Sequence, residues 1–248
     1  MRERVSVVES AGRGPRVLLL PGLGARGEGF RTLATALSTR ARPVIVEYPE
    51  GARAGTGAGA LAREVMEAVG PVEAVVASSF GGMVAAHLAA AGAVKGAAFL
   101  GSFTDPAQLG FRGRLLFAMG PIAAFGRPGA LAAGLAAASS VRRADVPRIV
   151  PTTAVERWSV WHRAFALGRE RPPPSLAGSR LACVAIHGAR DVLVPVSTLL
   201  RLAEALPVGS PVHVLPGAGH VPYFTHPADC ARLLAPWIAR IERGAPAS

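Results

Sequence analysis

Apolar and polar positions along the chain fall into blocks that alternate between strand-like and helix-like patterns. Short apolar runs of the kind found in buried parallel strands occupy residues 17–20, 43–48, 72–77, 94–100, 181–186 and 211–215. Longer stretches with helical spacing follow most of them, at residues 30–38, 58–69, 82–91, 196–206 and 227–243. This alternation predicts an α/β fold in which helices flank a mostly parallel central sheet.

The alternation stops between residues 102 and 177. This segment has no strand-like apolar run, is rich in alanine, leucine and arginine, and has three consecutive prolines near its end. A stretch of about 75 residues is too long for an ordinary connection between neighbouring elements. We therefore predict a core formed by residues 1–101 and 178–248, into which residues 102–177 are inserted as a helical cap.

The composition is that of a folded protein with a sizeable core. Half of the 248 residues are hydrophobic, which excludes a disordered chain, and two cysteines are too few for a disulfide scaffold. Both cysteines, Cys183 and Cys230, lie in predicted elements, and we expect them to be buried apolar side chains. The first ten residues lack the apolar region of a signal peptide, and no run is a convincing membrane span. We therefore expect a cytoplasmic protein without stable membrane insertion.

The turn between the third predicted strand and the following helix carries the first candidate for chemistry. A nucleophile on a sharp strand-to-helix turn needs small residues two positions before and two after it, because those positions crowd together. Ser79 meets this rule, since Ala77 and Gly81 flank it. Ser78 does not, because its corresponding neighbours are a valine and a phenylalanine. The pattern predicts Ser79 as a nucleophile; an unreactive serine-rich turn is the alternative.

A serine nucleophile needs a base to take its proton, and His220 is the best candidate. It lies in a glycine-rich loop between the last predicted strand and the last helix, a context that none of the five other histidines has. The alternative is a loop histidine that only caps a turn.

The acid that would orient this histidine is predicted to be Asp191, in the turn after the strand at residues 181–186. The chain order serine, aspartate, histidine is the one expected for a triad on such a sheet. Asp105 also follows a predicted strand and is the competing candidate. The alternative role for Asp105 is to open the inserted segment with an Asp-Pro turn.

Acyl transfer also needs hydrogen-bond donors that stabilise the negative charge developing on the carbonyl oxygen. We expect one from the backbone N–H of Phe80, next to the nucleophile, and one from that of Leu23, in the loop after the first core strand. Gly22 lets this loop turn, and Gly24 lets a substrate approach closely. The partial G-x-G pattern in the same loop is only a weak signal for dinucleotide binding.

Four sequence blocks together resemble the alpha/beta-hydrolase superfamily: LLLPGLG, ASSFGG, HGARDVLVP and GAGHVPYFTHP. The similarity covers nearly the whole chain, and residues 102–177 stand where the family has its variable cap. Small capped carboxylesterases, among them the pimeloyl-(acyl-carrier protein) methyl ester esterases, are the most similar subgroup. The resemblance implies a serine hydrolase that cleaves a carboxylic ester or thioester through a covalent acyl-enzyme and needs no cofactor. Pro21, where many members have histidine, and Ala77, where glycine is common, depart from the family pattern.

The net charge of +11 is concentrated in the inserted segment. Residues 102–177 hold ten arginines against four acidic residues, a net +6. A basic rim on an apolar cap fits a small-molecule ester or acyl substrate that is anionic or is delivered by an acidic acyl carrier protein, and it also fits a membrane surface. The alternative is a solvated cap with coding-biased arginines, since Lys95 is the sole lysine. No recognition motif points to nucleic acid as a partner.

Two other classes of function stay open from the sequence. A non-hydrolytic enzyme on the same scaffold, such as an acyltransferase or lyase, would share these motifs, as would a catalytically silent binding protein. No metal site is expected, because the C-terminal histidines and cysteine match no usual zinc spacing: His213, His220, His226 and Cys230.

Overall fold

A central sheet organises the protein. The computed structural model describes residues 4–50, 57–109, 139–149, 154–167, 170 and 172–244. The strands in this part are β1 (Ser6–Glu9), β2 (Arg16–Leu20), β3 (Arg42–Glu47), β4 (Ala74–Ser78), β5 (Gly96–Leu100), β6 (Ala182–Gly188) and β7 (Val212–Leu215). They form one sheet in the order β1-β3-β2-β4-β5-β6-β7.

Six of these strands run parallel to one another. β2 pairs with β3 and β4, so that Leu18 lies opposite Val44 on one side and Val75 on the other. β5, β6 and β7 follow beyond β4 in the same direction, and β1 pairs antiparallel with β3 at the opposite edge. The carboxyl ends of the parallel strands therefore meet along one side of the sheet, which we call the carboxyl side and where α/β proteins bind ligands.

Helices cover both faces of the sheet. The described α-helices are α1 (Arg31–Leu37), α2 (Ala58–Val69), α3 (Gly81–Ala90), α4 (Val146–Ile149), α5 (Ala154–Leu167), α6 (Val196–Ala205), α7 (Pro222–Thr225) and α8 (Pro227–Glu242). Short 3-10 helices lie at Gly27–Phe30, Pro106–Leu109 and Arg143–Asp145.

Alternate side chains of the strands contribute to two cores. Leu18 and Leu20 of β2 join the core formed with α2, α3 and α6. Val17 and Leu19 of the same strand join the core formed with α1 and α8. Because the inner strands are buried on both faces, they have the continuous apolar runs seen in the sequence rather than an apolar-polar alternation.

The predicted parallel sheet with flanking helices is confirmed. Every predicted strand and helix is present, with its ends displaced by no more than two residues. β1 is not among the predicted strands, because all four of its residues are exposed and it lacks an apolar run. Pairing with β3, rather than burial of its own side chains, holds this strand in place.

The described parts of residues 102–177 contain helices and no strand. The division into a core and an inserted cap stays a prediction.

No helix in the described ranges combines the length and apolar character needed to cross a membrane. The structure describes the backbone but not the side chain of Arg143 and Arg157, and five more arginines of residues 102–177 lie outside the described residues: Arg112, Arg114, Arg127, Arg169 and Arg171.

Candidate active site

Five loops on the carboxyl side of the sheet carry the candidate site. Because neighbouring parallel strands end together there, residues far apart in the sequence become neighbours. The loops follow β2, β4, β5, β6 and β7 and carry, in that order, Gly22 with Leu23, Ser79, Gly101 with Ser102, Asp191 and His220.

Ser79 lies on a sharp turn between β4 and α3. Its φ is +51°, in the left-handed region that residues other than glycine rarely adopt. The turn is tight because the start of α3 lies close to the end of β2: a Cβ on Gly81 would lie 2.7 Å from the carbonyl oxygens of both Leu20 and Pro21. Glycine is therefore required at position 81, in agreement with the steric rule that selected Ser79 from the sequence.

Ser102 fixes this strained turn. Its buried hydroxyl donates a hydrogen bond of 2.6 Å to the carbonyl oxygen of Ser79. The N–H of Gly82 donates to the same oxygen at 3.0 Å. Strained backbone persists where its surroundings hold it, so these two bonds help to keep Ser79 in place. Sequence reasoning missed Ser102, whose one signal is its position after a predicted strand.

The loop after β2 packs directly against Ser79. A Cβ on Gly22 would lie 3.1 Å from the Cβ of Ser79 and 3.7 Å from its Oγ, so this close approach depends on glycine. The N–H of Ala25 donates to the Gly22 carbonyl at 3.2 Å and closes a turn that contains Leu23. Within the described residues, the N–H groups of Leu23 and Phe80 donate no hydrogen bond to the protein. Both predicted oxyanion donors therefore lack a protein acceptor there.

Asp191 and His220 form the polar pair of the site. The Nδ1 of His220 lies 2.9 Å from Oδ2 of Asp191, whose side chain is fully buried. The other oxygen, Oδ1, accepts the N–H groups of Leu193 at 3.0 Å and Val194 at 2.8 Å. A carboxylate accepts hydrogen bonds and cannot donate them, so the proton of the neutral imidazole is assigned to Nδ1. The Nε2 of His220 then carries the lone pair that a base needs.

Gly101 packs this pair against the end of β5. Its φ is +53°, and a Cβ at this position would lie 2.7 Å from the His220 carbonyl oxygen and 3.3 Å from Oδ2 of Asp191. The next residue, Ser102, bonds to Ser79. Two consecutive residues after β5 thus contact Ser79 on one side and the Asp191–His220 pair on the other. The three predicted catalytic residues therefore surround one strand end.

His187 lies beside the same carboxylate but is sealed from solvent. Its Nε2 lies 2.7 Å from the Val194 carbonyl oxygen and 3.6 Å from Oδ2 of Asp191. The His187 side chain is wholly buried, whereas 11% of the His220 side chain is exposed. Burial lowers the pKa of His187, so its imidazole is neutral at neutral pH and braces the turn that carries Asp191. Its place at a strand end was too weak a signal to reveal this contact.

Asp105, the competing acid, belongs to a local turn. Its Oδ1 accepts the N–H of Ala107 at 2.7 Å, at the start of the 3-10 helix Pro106–Leu109. Within the described ranges, Asp105 makes no hydrogen bond to a histidine. The contacts therefore favour Asp191 as the partner of His220.

The remaining candidate ligands and thiols do not form a second site. No group of three or more histidine, cysteine, aspartate or glutamate side chains in the described part of the chain is arranged to hold a metal ion. Cys183 and Cys230 are buried free thiols, and burial raises the pKa of each to about 12. Both cysteines therefore act as small apolar side chains, as predicted.

A buried arginine of α5, within residues 102–177, reaches the loop after β2. Arg163 of α5 donates from one guanidinium nitrogen to the Leu23 carbonyl oxygen at 3.0 Å and from another to the Pro49 carbonyl oxygen. Its central carbon lies 5.3 Å from the centre of the Tyr48 ring. From the sequence, Arg163 counted as one member of a basic rim. That interpretation is wrong for this residue, because only 6% of Arg163 is exposed.

Comparison with known proteins identifies the family. A model of the alpha/beta hydrolase family matches residues 17–233, a span that includes every residue of the candidate site. This chain belongs to the alpha/beta hydrolase family. A curated relative of this hydrolase, the pimeloyl-(acyl-carrier protein) methyl ester esterase of Chromobacterium violaceum, is 30% identical over 92% of this chain and 96% of its own.

Solved structures share the alpha/beta hydrolase architecture. A thermophilic esterase from Thermogutta terrifontis matches with a TM-score of 0.77 at 17% identity, over 96% of this chain and 94% of its own. An esterase from Exiguobacterium antarcticum gives a TM-score of 0.78 at 18% identity, over 95% of both chains. An N-acyl homoserine lactonase also gives 0.78, at 17% identity, over 97% of this chain and 94% of its own. At these identities the structures establish the fold, which agrees with the predicted one.

Proposed function

We propose that this alpha/beta hydrolase is a serine hydrolase that cleaves a carboxylic ester or thioester. Ser79 is the nucleophile, His220 the base and Asp191 the acid that orients the base. The proposal is carried by the 2.9 Å contact between Nδ1 of His220 and the fully buried Asp191 carboxylate, on the carboxyl side of the sheet where Ser79 also lies on its strained turn. The 30% identity to a methyl ester esterase supports the same class of activity.

In the first half of the reaction, Oγ of Ser79 attacks the acyl carbonyl carbon while Nε2 of His220 takes its proton. The Asp191 carboxylate stabilises the imidazolium that forms. The N–H groups of Leu23 and Phe80 donate hydrogen bonds to the carbonyl oxygen and stabilise the negative charge that develops on it. The bond to the leaving group then breaks, and His220 gives the proton to the departing alcohol or thiol. The acyl group remains on Ser79 as an ester.

In the second half, water replaces the leaving group. His220 takes a proton from a water molecule, whose oxygen attacks the acyl carbon and again places negative charge between the two N–H donors. The bond between Ser79 and the acyl carbon breaks, and His220 returns the proton to the serine oxygen. The free acid leaves, and the starting enzyme is restored. Substrate, water and these side chains account for every proton and bond in the cycle.

Two observations bear on the substrate. The Chromobacterium violaceum relative is named for a methyl ester carried by an acyl carrier protein. Residues 102–177 of this chain carry a net charge of +6, which suits an acidic carrier. We therefore extend the proposal to an acyl ester presented either as a small molecule or on an acidic acyl carrier protein.

The decisive experiment compares three proteins: wild type, Ser79→Ala and Ser78→Ala. Each is assayed for turnover of p-nitrophenyl butyrate and for labelling by a fluorophosphonate probe. We expect wild type and Ser78→Ala to turn over the ester and to be labelled. Ser79→Ala should lose labelling and about 10⁴-fold or more in kcat, because the acyl-enzyme can no longer form. Ser78 is a matched control, since it is the buried serine that directly precedes Ser79.

The other outcomes separate the alternatives. Unchanged turnover in Ser79→Ala would rule out the mechanism. A wild-type protein that neither turns over esters nor takes the probe would be a catalytically silent binding protein. Identification of the products by mass spectrometry distinguishes a hydrolase, which releases the free acid, from an acyltransferase or lyase, which yields a new ester or an elimination product.

A further inference from the structure

Arg163 places a charged group in the interior, between the inserted segment and the loop that carries Leu23. Burying a guanidinium costs free energy unless its N–H groups find acceptors. Here the carbonyl oxygens of Leu23 and Pro49 accept from it, and the face of the Tyr48 ring lies 5.3 Å from its central carbon. Arg163 is thus bound to the core of the hydrolase and not to solvent, with 6% of the residue exposed.

The Leu23 carbonyl held by Arg163 adjoins the N–H that we assign to the oxyanion hole. The peptide before Leu23 contains this N–H together with the Gly22 carbonyl, which the N–H of Ala25 holds at 3.2 Å. The peptide after Leu23 contains the carbonyl that Arg163 holds at 3.0 Å. Each of the two peptides that flank Leu23 is therefore anchored by a hydrogen bond, and together they set the direction of the Leu23 N–H.

The second peptide needs an anchor from outside the loop. The residue after Leu23 is Gly24, whose lack of a Cβ gives the chain access to more than one type of turn at this point. The hydrogen bond from Arg163 favours the one orientation of the peptide in which the Leu23 carbonyl points at the guanidinium.

Arginine is suited to this position because its guanidinium is a planar fork. One nitrogen reaches the loop after β2 and another reaches Pro49, just beyond β3. A lysine has one compact ammonium group and cannot reproduce both contacts with the same geometry. Arg163 therefore ties α5 to two core loops at once.

We infer that Arg163 is a positioning residue for the oxyanion hole: it couples the inserted segment to the Leu23 peptide and keeps the Leu23 N–H where negative charge develops. The inference rests on the proposed function, since it assigns Arg163 a part in the same site. Donors fixed in advance stabilise the transition state more than the ground state. Loss of Arg163 should therefore lower kcat and leave KM nearly unchanged.

The experiment compares wild type with Arg163→Met, Arg163→Lys and the control Arg142→Met. Arg142 lies in the same inserted segment, but 85% of its side chain is exposed. The measurements are kcat and KM for p-nitrophenyl butyrate, and Ki for a trifluoromethyl ketone and for the methyl ketone of the same chain. The trifluoromethyl ketone adds to the serine and places an oxyanion in the hole, so its Ki reports on binding of a transition-state analogue. The methyl ketone binds mainly as the free carbonyl.

For Arg163→Met we expect kcat to fall by about ten- to a hundredfold and binding of the trifluoromethyl ketone to weaken by a similar factor. The reason is that a displaced N–H donor stabilises the oxyanion less. KM and binding of the methyl ketone should stay within about threefold of wild type, since ground-state contacts are retained. Arg163→Lys should fall between wild type and Arg163→Met, and Arg142→Met should match wild type.

Either of two results would overturn the inference. One is that both Arg163 variants keep the kcat of wild type and its Ki for the trifluoromethyl ketone. The other is an equal loss of affinity for the two ketones, which would indicate a general structural role. Should Arg163→Met fail to fold, the same comparison in Arg163→Lys decides the question. A wild-type protein without esterase activity or inhibition by the trifluoromethyl ketone would instead refute the proposed function itself.

Discussion

At the scale of single residues, Asp191 shows how the fold prepares a side chain for one task. Its Oδ1 is occupied by the N–H groups of Leu193 and Val194, which leaves Oδ2 for Nδ1 of His220. The carboxylate side chain is fully buried, and both of its oxygens have hydrogen-bond partners. The turn after β6 therefore fixes both the position of the Asp191 carboxylate and the tautomer of the His220 imidazole.

Replacing this acid with its amide tests that conclusion. In Asp191→Asn, the amide oxygen would keep the two backbone N–H groups and the NH₂ would face His220. The imidazole would then carry its proton on Nε2 and lose its function as a base, so we expect kcat for p-nitrophenyl butyrate to fall by about 10⁴-fold. The matched control is Asp105→Asn, which should keep the wild-type kcat because Asp105 bonds within its own turn. The reverse order of effects would assign the role to Asp105.

The sequence was informative at this scale where the signal is local. Ser79, Asp191 and His220 each follow a strand, and the small neighbours of Ser79 meet a steric rule that can be checked residue by residue. The structure brings Asp191 and His220 into contact. Ser102 and His187 carry no such local signal. Their roles come from contacts with a backbone carbonyl and a buried turn, which only the folded chain creates.

At the scale of secondary-structure elements, the strands with apolar runs could be predicted from the sequence. The strand β1, which pairing with β3 holds in place, could not. The inner strands are buried on both faces and have apolar runs that can be recognised. β1 is exposed along its length and is defined by its antiparallel partner β3. The contact of Glu170 could not be predicted either, because its carboxylate lies against the start of α2, more than a hundred residues earlier in the chain.

Glu170 provides the cap that α2 lacks locally. The N-cap residue, Gly57, has no side chain to accept a bond. The Glu170 carboxylate instead accepts the N–H groups of Ala58 at 2.6 Å and Gly59 at 2.7 Å. A negative charge at a helix N-terminus is stabilising, because the exposed N–H groups there carry partial positive charge. This contact is a second point, besides Arg163, at which residues 102–177 bind the rest of the chain.

Removing the cap should weaken the fold without changing the chemistry. For Glu170→Ala we expect a loss of about 1–2 kcal/mol in the free energy of unfolding, the range typical of a lost N-cap. Urea denaturation followed by circular dichroism measures this loss. The control is Glu67→Ala, an exposed position in the last turn of the same helix, which should change stability by less than about 0.5 kcal/mol. Equal stability of the two variants would show that the carboxylate does not cap α2.

At the scale of the whole molecule, the positive charge is unevenly distributed and unevenly exposed. Residues 102–177 hold +6 of the net +11, yet Arg163 of that segment is buried in contacts with the core. Arg142 and Arg148 both lie near Asp145, at 3.0 and 3.7 Å, and 85% of the Arg142 side chain is exposed. An exposed guanidinium can pair directly with an acidic partner, whereas the buried guanidinium of Arg163 cannot be reached. Fewer arginines than the sequence count are therefore available for direct ion pairs with a partner.

Salt dependence tests whether that field acts on an acyl carrier. Steering by exposed charge weakens as ions screen it, and the screening length falls below about 10 Å above 0.1 M salt. For one acyl chain, we expect kcat/KM to fall by about tenfold or more between low and high salt when an acidic acyl carrier protein presents the ester. The corresponding small methyl ester should show little change, because it is uncharged. Equal salt dependence of the two substrates would mean that the arginines of residues 102–177 do not recruit a carrier.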